Sequence, residues 1–224
     1  MPLLGSAAML LSFDVMPDAI AEHDDWHTHE HLPERLSIPG FLRGSRWVAT
    51  QGEPRYLVLY EVAELATLTS PAYLVRLNNP TAWTSKIMPH YRAMSRGLCV
   101  VAGSLGVGMG NVARVIRFKP RAAQPLRSWL LDEVLPALPN KRGIGSAHLL
   151  EGAAAAPMTN EQRIRGTDAG VDSTLLVMGY DAQALGDLSR GTLAKGELER
   201  RGATDVMESL YRIDYTLTHG EVEC

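Results

Sequence analysis

Trp26-His27-Thr28-His29-Glu30-His31-Leu32-Pro33 is answered, 103 residues later, by Trp129-Leu130-Leu131-Asp132-Glu133-Val134-Leu135-Pro136. Trp, Glu, Leu and Pro recur at the same spacing, which is how a chain built from two similar units reads. Pro39-Gly40-Phe41 has a looser echo at Arg142-Gly143-Ile144, with the same offset.

Working outward, Ala7 to Val15 alternates as a strand, with Met9, Leu11, Phe13 and Val15 on one side. Asp18, after Pro17, is placed to cap a helix running to about Leu32, which Pro33 closes or bends. Pro39-Gly40 is a turn. Phe41–Thr50 and Arg55–Val62 form a hairpin, apolar on both faces as in a sheet covered on each side. Ala63 to Arg92 is helical in composition but cut by Pro71, Pro80 and Pro89 into two or three pieces. Ser95 to Val107 returns to strand. The order β-α-β-β-α-β is one ferredoxin-like unit.

Gly103 to Gly110, with glycines also at Gly106 and Gly108, reads as a flexible connection and lacks the Gly-Lys-Ser/Thr of a phosphate loop. Beyond it Val112–Phe118, Thr174–Tyr180 and Val206–Thr218 read as strands and Ala182–Arg201 as a second long helix. Gly152–Val171, rich in Ala, Gly and Thr, reads as a mobile surface loop. The expected fold is therefore α+β: a first ferredoxin-like repeat over 1–105 and a second, degenerate one over 106–224.

The repeat differs at one place. His27, His29 and His31 become Leu130, Asp132 and Val134. The residues that recur look structural, with Trp26 and Trp129 as core anchors, whereas the proton-active imidazoles occur once. The first unit is thus the candidate active half.

The totals narrow the classes. A formal net charge of −3 and scattered basic residues give no reason to expect nucleic acid or an anionic membrane as partner. Two cysteines, Cys99 and Cys224, are too few for a disulfide framework. Met1 to Phe13 lacks the basic leader of a signal peptide, and no apolar run reaches the roughly 18 residues of a spanning helix. A cytoplasmic protein is the expectation.

Trp26-His27-x-x-Glu30-His31-Leu32-Pro33-Glu34-Arg35-Leu36-x-Ile38-Pro39-Gly40-Phe41, with Arg46-Trp47 beyond, resembles small bacterial proteins of the dimeric α+β barrel superfamily, the EthD-like and related uncharacterised groups among them. Tyr73-Leu-x-x-Leu77-Asn78-Asn79-Pro80-Thr81-x-Trp83 is similar to the broken second helix of those proteins. The likeness covers roughly Ala7 to Gly103. It implies two ferredoxin-like sheets making a barrel around a central pocket, here from one chain, with further dimerisation open. It also implies an activity among isomerases, cyclases, cofactor-free monooxygenases, haem-handling enzymes or proteins without chemistry. His27 stands at a position that is usually aromatic there, and His29 is an addition.

On a helix, His27, Glu30 and His31 share one face and His29 points elsewhere. A carboxylate beside an imidazole favours its charged form and fixes its tautomer. On that basis His31 is the expected proton shuttle, Glu30 its orienter and His27 a second acid or base. Arg46 is an anion clamp, and Tyr60, Trp83 and His90 are candidate pocket residues. This is cofactor-independent isomerase, cyclase or lyase chemistry on a small carbonyl or aromatic-pathway metabolite. Two alternatives stay open at this point. His27-x-x-Glu30-His31 formally matches an inverted zinc-protease motif, making His27 and His31 metal ligands. Alternatively, Glu30 caps or pairs with Arg35, the imidazoles are a solvated face, and the protein binds a small ligand without chemistry.

Overall fold

The computed structural model describes residues 3–154, 158–166 and 168–222. The first unit runs β1 (Ala7–Val15), α1 (Ile20–Trp26), a π-turn (His27–His31), α2 (Leu32–Leu36), β2 (Phe41–Gln51), β3 (Tyr56–Val62), α3 (Pro71–Asn78), α4 (Ala82–Ile87) and β4 (Tyr91–Gly106). The second runs β5 (Val112–Pro120), α5 (Ala123–Trp129), a π-turn (Leu130–Val134), α6 (Leu135–Ala137), β6 (Ile144–Gly152), α7 (Asn160–Arg165), β7 (Ser173–Gly179), α8 (Ala182–Asp187), α9 (Lys195–Arg200) and β8 (Ala203–Thr218). Apart from α7, the order is the same twice.

The eight strands close into one antiparallel barrel in the order β1-β3-β2-β8-β5-β7-β6-β4. The two long strands do the joining. β4 pairs with β1 (Val15 opposite Tyr91) and then with β6, as far as Gly106 opposite Ser146. β8 pairs with β5 and then with β2, ending at Arg43 opposite Thr218. Each bulges at its third residue, Ala93 and Asp205, which share a positive φ of 51°.

This corrects the glycine run. Gly103 to Gly106 belong to β4. A β-carbon on Gly103 would lie 2.6 Å from Leu131 Cδ2, so the glycine lets the second unit's helix layer approach the first unit's strand.

Both π-turns fall at matching places, 27–31 and 130–134, and have the same cause. Pro33 and Pro136 bring no N–H to the helix. The chain widens by one residue, with the Leu32 amide bonding the His27 carbonyl and the Leu135 amide the Leu130 carbonyl. Pro33 therefore does not end the helix, which continues to Leu36. Asp18 makes no cap; a short 3₁₀ turn, Pro17–Ala19, leads in. The second long helix is also broken, at Gly191.

The barrel interior is filled by apolar side chains, among them Leu10, Trp47, Leu57, Leu59, Val115, Leu176 and Tyr211. The central pocket that the resemblance implied is thus a packed core. Two further cores lie outside the barrel, each between its outer face and one unit's helices, anchored by Trp26 and by Trp129. Cys99 is buried in the interior, where loss of water raises its thiol pKa to about 12. Cys224 lies outside the described residues.

Candidate active site

The space between helices and sheet differs in the two units. Counting in fours along the first helix, His23, His27, His31 and Arg35 present a polar column to the sheet, all buried. Their counterparts 103 positions on, Leu126, Leu130, Val134 and Leu138, belong to the apolar second core. In the first unit the column faces a cavity of about 30 Å³, room for roughly one or two waters. Tyr60, Tyr73 and Tyr91 line it beside His27, His31 and Arg35, over an apolar floor of Met9, Leu11, Phe13 and Val58 from the strands.

The fourth wall comes from the second unit. The Gly152–Val171 insert, expected to be a mobile loop, contains α7, begun by a capping box in which Thr159 and Gln162 satisfy each other's ends. The helix lies over α3 and α4 of the first unit. Glu161 reaches down from it to accept a hydrogen bond from Arg35 Nη2 at 2.5 Å, and Thr159, Gln162 and Arg165 line the cavity. Residues 155–157 and 167 of the insert lie outside the described residues.

Four buried polar atoms here have no hydrogen-bond partner: His27 Nδ1, His31 Nδ1, Arg35 Nη1 and Tyr60 Oη. All belong to residues lining the one cavity. Burial holds both imidazoles well below their ordinary pKa, helped by the Arg46 and Arg35 guanidiniums and a neighbouring imidazole for His27, and by Arg35 and the His27 ring for His31. They are neutral at pH 7. Burial opposes the charge of Arg35, but the Glu161 carboxylate more than offsets it and raises its pKa. Arg35, Arg96 and Arg165 line the cavity with Glu161. Arg165 is itself paired with Asp168 at 2.6 Å, and Arg35 Nη1 also lies 4.0 Å from Glu34 Oε2, so carboxylates balance much of this positive charge.

The other expected site residues are elsewhere. Glu30 does not orient His31. Its Oε1 accepts hydrogen bonds from Trp26 Nε1 at 3.1 Å, Thr81 at 2.6 Å and Thr84 at 3.3 Å, tying the helix to the start of α4. The π-turn and these donors swing it away from the imidazoles, so the expected charge-favouring partner is missing and burial governs them instead. Arg46 is no free clamp: its Nε donates to Asp214 at 2.6 Å and its Nη1 to the Asp24 carbonyl at 3.0 Å. Trp83 packs half-buried at the edge of the core, and His90 is likewise half-buried; neither lines the cavity. Tyr60 is brought together with His27 and His31. His23 and Arg35 were not among the expected site residues, although their four-residue spacing extends the histidine column. Nor was Glu161, whose helix is signalled by Thr159-x-x-Gln162.

No family model and no curated protein sequence matches the chain. Solved structures do. An anthrone oxidase-like protein superposes with a TM-score of 0.64 at 12% identity, covering 99% of this chain and 97% of its own. A Fusobacterium nucleatum protein provisionally named a monooxygenase gives 0.60 at 10% identity, covering 96% and 95%. A mutant chlorite dismutase from Candidatus Nitrospira defluvii gives 0.55 at 12% identity, covering 98% and 94%. All three match along nearly the whole barrel. The chain has the dimeric α+β barrel fold.

Two groups associated with that fold or with the histidine motif can be tested against the cavity of this α+β barrel. For a metal, His27 and His31 offer two donors, with ring centroids 5.6 Å apart. Among the described residues no group of three or more His, Cys, Asp or Glu is arranged to hold an ion, whereas structural zinc takes four ligands and catalytic zinc three. For a porphyrin, a cavity of about 30 Å³ is far below the roughly 300–1,000 Å³ of pockets for drug-sized ligands. Neither group fits these residues as they stand.

Among the described residues no helix is long and apolar enough to cross a membrane.

Proposed function

We propose that this chain is an acid–base enzyme acting on a small acidic carbonyl or aromatic-pathway compound, of isomerase, cyclase or lyase type. Its proton-carrying groups are its own side chains, His27 and His31, and Arg35 holds the substrate's negative charge. The observation that carries the reading is the set of four buried polar atoms without a hydrogen bond around one cavity. Each such atom costs about 1–3 kcal/mol unless it is satisfied, and the second unit avoids the cost with leucine and valine. A ligand that accepts from Arg35 Nη1 and meets the two imidazoles and the Tyr60 hydroxyl removes it.

The electrostatics suit proton abstraction. A neutral imidazole is competent as a base, and here its protonation is opposed by burial and by Arg35. Protonation becomes favourable when the substrate develops negative charge at the same moment, because imidazolium and anion then form together in a water-poor site. The cavity admits a substrate when α7 swings away and closes over it. The likeness of the Pro39-Gly40-Phe41 region to EthD-like proteins belongs with this reading.

The test is hydrogen exchange in heavy water. The full chain is incubated with a panel of small carbonyl acids and lactones, and loss of the acidic C–H signal is followed by NMR. Wild type is expected to exchange one class of compound. His27→Leu with His31→Val, the residues of the second unit, should fold and lose about 10²–10⁴-fold in rate. A ligand that binds but never exchanges would support a non-catalytic binding protein instead.

A further inference from the structure

His23 is buried at the head of the histidine column, and its two ring nitrogens are both engaged. Nδ1 lies 3.0 Å from Asp24 Oδ1, and Nε2 lies 3.2 Å from the hydroxyl of Tyr91, which lines the cavity. We propose that Asp24, His23 and Tyr91 form a proton relay, and that Tyr91 takes a proton directly from an acidic hydroxyl or activated C–H of the substrate. The proposal rests on the acid–base reading of the cavity and adds a second proton carrier to it.

The direction of the relay follows from what each atom can do. An ionised carboxylate only accepts, so Nδ1 must carry the hydrogen and donate it to Asp24. Nε2 is then the lone-pair nitrogen, and the Tyr91 hydroxyl must donate to it. The tyrosine oxygen keeps its lone pairs for a donor in the cavity. Three features hold Asp24 in its ionised, acceptor role. Tyr56 donates to the same Oδ1 at 2.8 Å, the Arg46 guanidinium is 3.9 Å from it, and the side chain is about one-third exposed to water. Burial resists its charge, but His23, Tyr56 and Arg46 outweigh it and lower its pKa.

The proton count closes without any other reactant. The substrate X–H bond breaks and an O–H bond forms on Tyr91. The original Tyr91 O–H bond breaks and an N–H bond forms on His23 Nε2. The product is a substrate anion and an imidazolium paired with Asp24. Reversal with delivery to a different substrate atom is an isomerisation, with no change of oxidation state. Because burial raises the Tyr91 pKa, a free phenolate is avoided and the two transfers are coupled. In the second unit the matching places are Leu126, in α5, and Ala203, the first residue of β8 as Tyr91 is of β4. Both are buried, and neither can carry a proton, so the relay is confined to the first unit.

Two measurements on the full chain test it. In the first, histidine ¹⁵N labelling and long-range ¹H–¹⁵N spectra report the His23 tautomer, assigned with His23→Gln. The expected result is an Nδ1–H ring whose Nε2 resonance moves when Tyr91→Phe removes its donor; an Nε2–H ring overturns the relay. In the second, deuterium exchange of the carbonyl-acid panel is compared in wild type, Tyr91→Phe and His23→Gln. Tyr91→Phe keeps the ring that packs 4.5 Å from Phe13, so the fold is expected to persist. Its kcat should fall about 10²–10⁴-fold with KM within a few-fold, and His23→Gln should match it. Wild-type exchange with Tyr91→Phe unchanged overturns the relay alone. A wild type that exchanges no compound overturns the acid–base reading, and the relay with it.

Discussion

Arg35 and Glu161 stand 126 positions apart in the chain, yet Arg35 Nη2 is 2.5 Å from Glu161 Oε1, with both side chains buried. The pair fastens a helix of the second unit over the cavity of the first. Breaking a buried pair by removing one partner costs about 3–5 kcal/mol if the other charge stays buried. Here the strain is relieved by release of α7. Glu161→Gln is therefore expected to speed tryptic cleavage at Arg163 and Arg165 by about tenfold or more, since each 1.4 kcal/mol of opening is tenfold in population. Cleavage at an unchanged rate would show that α7 is held by packing alone.

A second expectation concerns pH. His23, His27, His31 and His148 are all held below the ordinary imidazole pKa, chiefly by burial. For His148, between Ser104 and Ser146, the value falls to about 3. The unfolded chain, with imidazole pKa near 6.5, binds more protons than the native state below that pH. Stability from these residues is present above about pH 6.5 and is lost as pH falls toward the native values. Each contributes up to about 1.4 kcal/mol per pH unit within its window. Urea denaturation at pH 7.5, 6.0 and 5.0 should show the decline. His27→Leu with His31→Val should flatten it by about 1.4 kcal/mol per unit for each histidine removed. An unchanged slope would mean that the two rings are protonated in the native state.

Glu30 provides the third. Its carboxylate accepts from an indole and two hydroxyls, contacts that the amide oxygen of glutamine reproduces. Glu30→Gln should retain exchange activity within a few-fold. Glu30→Ala should cost about 1–3 kcal/mol, because buried donors lose their acceptor. Loss of activity in Glu30→Gln with full stability would return Glu30 to the catalytic group.

The recurrence of Glu at position 133, where no histidine accompanies it, left a structural role for Glu30 open beside the expected orienting one. The missing piece was its partners, since Thr81 and Thr84 arrive from a helix some fifty residues on. Arg46 shows the same limit. Its charge suited an anion, but strand β8 places Asp214 beside it. Trp83 and His90 suit a pocket by residue type, but neither lines the cavity.

What the sequence by itself determined was the local plan: the twice-repeated element order, the strands, the tryptophan anchors, and the restriction of imidazoles to one unit. Periodicity, proline positions and a fixed offset of 103 carry that information, because each reflects constraints within a short stretch of chain. Only the tertiary structure decided that the barrel interior is packed solid, that the cavity lies under the helices, and that α7 closes it through Glu161. Those facts depend on which distant side chains meet once two sheets share one barrel. Composition and spacing do not record such meetings.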